Sequence, residues 1–140
     1  MATVGVPADA DLVEFVVDAL SGVGIDGVEA VYVFGSVAEA RVRDDSDVDL
    51  AFLTARARDR VAVFDAAQAL AQRLGREVDL IDLRRASTVM KLQVLDKGRR
   101  IYTRDVVSAD TFEMYAYSDY ARLQEERAPT LRAFESLYDD

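Results

Sequence analysis

Residues 31–53, VYVFGSVAEARVRDDSDVDLAFL, constrain this chain more than any other stretch. Residues 31–34 are apolar, β-branched or aromatic, which suits a buried strand. Gly35 permits a sharp turn and lets a ligand approach the backbone with no Cβ in the way. Ser36 then places a hydroxyl at a predicted helix start, where free N–H groups and the helix dipole favour an anion such as phosphate. Ten residues later come Asp47, Val48 and Asp49 at the head of a second apolar run. On a strand, residues i and i+2 share one face and lie roughly 6.5–7 Å apart. Asp47 and Asp49 therefore aim at one point, while Val48, Leu50 and Phe52 face the core. Two such carboxylates resist joint ionisation unless a cation sits between them. Mg²⁺ fits, because it takes one or two protein carboxylates together with substrate phosphates. The stretch predicts a metal–nucleotide site.

Composition narrows the chemistry. The chain has 140 residues, 51% of them apolar and 31% charged, which predicts one soluble domain. With no cysteine and no histidine, thiol catalysis, Ser-His-Asp hydrolysis and nearly all zinc sites drop out. Carboxylates, hydroxyls, Lys and Arg remain, the inventory of Mg²⁺-dependent phosphoryl or nucleotidyl transfer. A net charge of −9 argues against non-specific nucleic-acid binding and suits a protein partner. No apolar run approaches the ~20 residues of a membrane span and no signal peptide is evident, so a cytoplasmic protein is expected.

In chain order, apolar spacing predicts a helix over 9–21, capped by Asp9 or Asp11. A strand follows over 28–34, a short helix or turn from Ser36 to Arg41, and a strand over 47–53. The short connection predicts antiparallel or mixed pairing of these two strands. A helix over 56–74 has Asp59 as a candidate cap, and Val63, Phe64, Ala67, Leu70, Ala71 and Leu74 as its buried stripe. Arg56, Arg58 and Arg60 cluster at its start, either as solvated charge or as a basic rim that meets a triphosphate. Residues 77–83, EVDLIDL, alternate as a strand with Asp79 on one face and Asp82 on the other. Ser87 caps a helix to Lys97, and 100–103 read as an edge strand. A long helix over 105–127 is expected to break at Pro129, with a short helix over 130–138. This aromatic-rich C-terminal segment, about 105–138, divides between core and a partner-facing surface.

Gly35-Ser36, the ten-residue gap and Asp47-x-Asp49 resemble the signature of the DNA polymerase β-like nucleotidyltransferase superfamily. The short chain further resembles the minimal nucleotidyltransferase (MNT) antitoxins of HEPN/MNT toxin–antitoxin pairs. The resemblance implies an α/β (α+β) fold with a small mixed sheet flanked by helices. It also implies a third carboxylate on the next strand. Asp79, inside the strand, is the first choice and Asp82 the alternative. In that pattern Asp47, Asp49 and Asp79 hold two Mg²⁺ ions, and Gly35 and Ser36 bind the phosphates of ATP. Where family members often carry Ala-Arg-Gly, this chain has Ala38-Glu39-Ala40, leaving Arg41 and Arg43 to supply positive charge.

The implied activity is transfer of AMP from ATP onto a tyrosine of a HEPN ribonuclease toxin, which neutralises it. Two alternatives stand beside it. One is a non-catalytic antitoxin that masks its toxin by binding. The other is a nucleotidyltransferase acting on a small molecule such as an antibiotic, although the chain has no added domain to cup one.

Overall fold

A computed structural model describes residues 7–35 and 47–137. Ser36, Glu39, Ala40, Arg41 and Arg43 lie outside the described residues, as does the expected short helix after Gly35. Among the described residues, four helices flank a four-stranded mixed sheet. In chain order these are α1 (Asp9–Ser21), β1 (Ala30–Phe34), β2 (Val48–Leu53), α2 (Arg60–Leu74), β3 (Val78–Asp82), α3 (Thr88–Lys97), β4 (Arg99–Thr103) and α4 (Val106–Ser136). The sheet order is β3-β2-β1-β4. β1 pairs antiparallel with β2 and with β4, and β2 pairs parallel with β3.

Strand alternation splits the core into two layers. Val31, Val33, Val48, Leu50, Phe52 and Leu80 pack beneath α1 and α2. Ala30, Tyr32, Ala51, Leu53 and Leu83 pack beneath α3 and α4. Each fully buried Val, Leu or Phe contributes about 1.5–3 kcal/mol of hydrophobic stabilisation. Polar contacts tie the outer helices to the sheet. Arg99 on β4 pairs with Asp9 in the first turn of α1. The buried Tyr32 hydroxyl donates to Glu113 Oε2 at 3.3 Å, and Arg100 reaches the same oxygen at 2.6 Å. These bonds lock α4 onto β1 and β4.

Several local expectations change. The N-cap of α1 is Ala8, with no side-chain cap, because Asp9 already lies in the first turn and is drawn to Arg99. α2 begins only at Arg60, where the Asp59 side chain accepts from Ala62 N. Its buried stripe is Val63, Ala66, Ala67, Leu70 and Leu74; Phe64 is 61% exposed, a step of ~100° off that stripe. α4 runs through Pro129 to Ser136 instead of breaking. There the helix is surrounded by solvent, so water can hydrate the carbonyl that the missing proline N–H leaves free.

Asp82 has a structural use. It is 7% exposed, and its two oxygens accept from Arg58 N at 2.7 Å and Arg84 N at 3.0 Å. It thereby joins the loop after β2 to the turn after β3. Asp82→Ala strands two half-buried backbone donors, so it is expected to lower unfolding free energy by about 2 kcal/mol, as read from urea melts.

Candidate active site

Pairing register converts the sequence motif into a site. Phe34 lies opposite Asp49 on β2, and Asp49 lies opposite Asp79 on β3. Partners in register project to the same face, with neighbouring strands ~4.8 Å apart. Asp79 therefore stands beside Asp49 on the face that α3 and α4 cover further along the strands. Asp47 precedes β2 by one residue and falls on that face too. Asp82 lies opposite Phe52, on the other face and toward the other end of the strand.

Electrostatics mark the convergence. Burial is the largest cause raising the Asp49 pKa above the ordinary carboxylate value; the charges of Asp79 and then Asp47 push it further. Gly35 closes the other side. Its φ is +68°, and a Cβ built there would overlap Asp49 Oδ2 and approach Cγ to 3.1 Å. Only glycine keeps the β1 turn and this carboxylate in place together. Gly98, at the end of α3, is similarly tight against the carbonyl of Val33 and the Cβ of Phe34, which brings the end of α3 close to the β1 turn.

The donor set fits Mg²⁺ in kind: hard carboxylate oxygens, crowded and mutually repelling, beside a glycine cradle. No group of three or more acidic side chains among the described residues is drawn up into a ready-made metal cage. Mg²⁺ does not need one, because it keeps several waters and takes oxygens from substrate phosphates.

The arginines after β2 are not at this site. Thr54 follows the far end of β2, about 17 Å along the strand from Asp49. Arg58 is engaged there, donating to Thr54 Oγ1 at 3.0 Å and to the Asp26 carbonyl at 2.9 Å. Arg56, Arg58 and Arg60 thus do not form a rim around a triphosphate bound at Gly35. Counting strand lengths in the sequence would have revealed this, because the acids open β2 and the arginines follow its end.

A strand ending in a left-handed glycine, laid against a two-acid strand with a third acid alongside, defines the polymerase β-like nucleotidyltransferases. The chain belongs to that family: residues 24–106 match the one described as Polymerase beta, Nucleotidyltransferase. Among individual proteins, the chain is 37% identical over 103 residues to Protein adenylyltransferase MntA of Shewanella oneidensis, covering 74% of this chain and 73% of the relative. A crystal structure of a toxin–antitoxin with AMP-PNP includes a chain 30% identical to this one, with a TM-score of 0.79 over 92% of this chain and 99% of that one. A structure of the tri-AMPylated Shewanella oneidensis HEPN toxin in complex with MNT antitoxin matches at 30% identity and a TM-score of 0.73, over 91% of this chain and 95% of the other.

Proposed function

We propose that this chain is the antitoxin of a HEPN/MNT pair. It acts in the cytoplasm as a protein adenylyltransferase, moving AMP from ATP onto a tyrosine of its cognate HEPN toxin. The observation that carries the reading is the row across the sheet: the Gly35 turn on β1, Asp49 on β2 and Asp79 on β3, with Asp47 beside them. The likeness to an MNT antitoxin seated on an AMPylated toxin supplies the acceptor. No helix among the described residues is long and apolar enough to cross a membrane.

The row suggests a direction for the reaction. The open backbone at Gly35 lets the triphosphate come close, with Ser36 and Arg43 proposed to add a hydroxyl and a positive charge. Displacement at the α-phosphorus is in line, so the attacking oxygen stands opposite the departing pyrophosphate. With pyrophosphate on the β1 side, the acceptor hydroxyl lies on the β3 side, beside Asp79. Asp79 is then placed to take its proton, and Asp49, fixed between its neighbours, holds the reacting centre. Mg²⁺ held by Asp47, Asp49 and Asp79 would neutralise the phosphate charge and lower the pKa of the attacking hydroxyl. The protein's own contribution is position and field.

The partner is proposed to dock on α4. Met114, Tyr115 and Tyr117 are exposed on its first half and Leu131 on its second, with Leu137 exposed just past its end, more apolar surface than a free helix usually shows.

Intact-mass spectrometry tests the reading. The cognate toxin, incubated with this protein, ATP and Mg²⁺, is expected to gain mass in steps of one AMP. A D47N/D49N double variant is expected to give none. An unmodified toxin that is nonetheless silenced in a tight complex would establish masking instead.

A further inference from the structure

A cavity of about 440 Å³ opens between α3, the first half of α4 and the turn after β3. Phe112 and Ala116, both buried, form its floor, and Ser108, Tyr115 and Asp119 stand around it. Two cations lie over the Phe112 ring. The Arg84 guanidinium carbon is 5.1 Å from the ring centroid and Lys91 Nζ is 5.4 Å from it. The negative face of the aromatic system thus gathers two positive charges at one place. Their remaining contacts leave capacity. Arg84 Nε donates to the Thr54 carbonyl at 2.8 Å, and one terminal nitrogen lies 4.0 Å from Glu29 Oε2. That same oxygen already accepts from the Ser108 hydroxyl. The other terminal nitrogen of Arg84 and the ammonium of the half-buried Lys91 have no hydrogen-bond or ion-pair partner among the described residues. Asp119, the acid at the rim, is paired with Arg122 at 2.9 Å. On a chain of net charge −9, the cavity is a local seat for a negative group.

We propose that this cavity takes the carboxylate of an acidic side chain of the cognate toxin and so holds the toxin against α4. The proposal rests on the antitoxin reading above, in which α4 is the partner's surface. Tyr115 both lines the cavity and is exposed, so the cavity opens onto the half of α4 that also exposes Met114 and Tyr117. Phe112 is buried beneath its two cations and offers no free face on which a nucleotide base could stack. What the cavity presents is an ammonium beside a guanidinium, and the two oxygens of one carboxylate can accept from both. Elsewhere the surplus of acids, 26 against 17 basic residues, repels a partner's carboxylates. An acid that finds its cations here therefore adds specificity as well as affinity. The anchor is remote from the acidic row, because Arg84 is tied to Thr54, about 17 Å along β2 from Asp49. It acts on toxin binding and leaves the transfer step alone.

Lys91 and Lys97 are the only lysines of the chain, so a carbodiimide, which joins an amine to a carboxylate in contact with it, gives a readable test. The full chain in complex with its cognate toxin is treated before ATP is added, then digested and sequenced by mass spectrometry. Lys91 is expected in an amide bond with an Asp or Glu of the toxin. Lys91→Met and Lys91→Glu, each first checked for an unchanged melting temperature, are titrated with the toxin by calorimetry. The Kd is expected to rise about tenfold in Lys91→Met and about 10²-fold in Lys91→Glu. The KM for toxin should rise with it, while kcat at saturating toxin holds at the wild-type value. A complex that forms without the Lys91 link, wild-type affinity in both variants, or a fall in kcat would overturn the anchor. So would a Lys91→Glu variant that keeps toxin binding but loses binding of free AMP, which would make the cavity a nucleotide site. A wild type that neither binds nor modifies the toxin would instead overturn the antitoxin reading beneath it.

Discussion

Asp49→Asn is expected to slow AMP transfer severely while making the protein slightly harder to melt. Asp49 is the middle member of the acidic row, opposite Asp79 and two residues from Asp47. Its loss removes a fixed anion from the proposed centre of charge stabilisation. A fall on the order of 10³-fold in single-turnover rate, about 4 kcal/mol of barrier, is the expected size. The stability effect has the opposite sign. The folded-state pKa of Asp49 lies above its unfolded value, through burial and through Asp79 and Asp47. The folded state therefore holds this proton more tightly than the unfolded chain. The resulting stabilisation is present below the unfolded pKa and is lost as pH rises through the folded one, so ionised Asp49 strains the fold at neutral pH. In EDTA at pH 7 the asparagine variant should melt roughly 2 °C higher than wild type, a solvent-screened surface-scale effect for a domain of this size. Added Mg²⁺ should narrow the gap by stabilising only the wild type. Calorimetry with and without Mg²⁺, beside a transfer assay, checks both halves. A variant that melts lower in EDTA would show that the Asp49 carboxylate holds the fold together and does not burden it.

Much of this arrangement was legible because strand geometry is periodic. Alternation in EVDLIDL already separates Asp79 from Asp82, and the parallel register sets Asp79 against Asp49. The antiparallel pairing of β1 with β2 is one of the two arrangements that the shortness of their connection allows. What failed to read through depended on three-dimensional context. Pro129 suggests a break from local sterics alone, but a solvated helix has no neighbour to penalise the lost hydrogen bond. Phe64 joins an apolar count but misses the stripe by one helical step. The arginines after β2 look poised for phosphate because they are near the motif in sequence; the length of β2 carries them to the opposite end of the sheet. The cavity over Phe112 draws on the turn after β3, α3 and α4 together, so no local pattern announces it. The role of Asp82 likewise appears only when the backbones of Arg58 and Arg84 are seen to converge on it.

Gly35→Ala should damage function far beyond its cost in stability, and a second glycine provides the control. Gly35 and Gly75 have nearly the same backbone, with φ of +68° and +66°. An alanine at either position meets the left-handed penalty of about 1–2 kcal/mol. At Gly75, which ends α2, a new Cβ finds nothing within 4 Å. At Gly35 it would overlap Asp49 Oδ2, and Asp79 already crowds that carboxylate from the β3 side. Asp49 must then swing or the β1 turn must shift, and either change misplaces the centre of the row. A displacement of about 1 Å in a positioning group costs roughly 10²-fold in rate. Both variants are therefore expected to lose similar stability in urea melts. Gly75→Ala should keep transfer within about twofold of wild type, whereas Gly35→Ala should lose about 10²-fold, mainly in kcat, because the charge is displaced and not removed. Equal losses in the two variants would mean that the glycine serves only the turn. A loss confined to Gly35→Ala would tie the left-handed residue to the carboxylate it touches, and would explain why a strand that could end in many residues ends here in glycine.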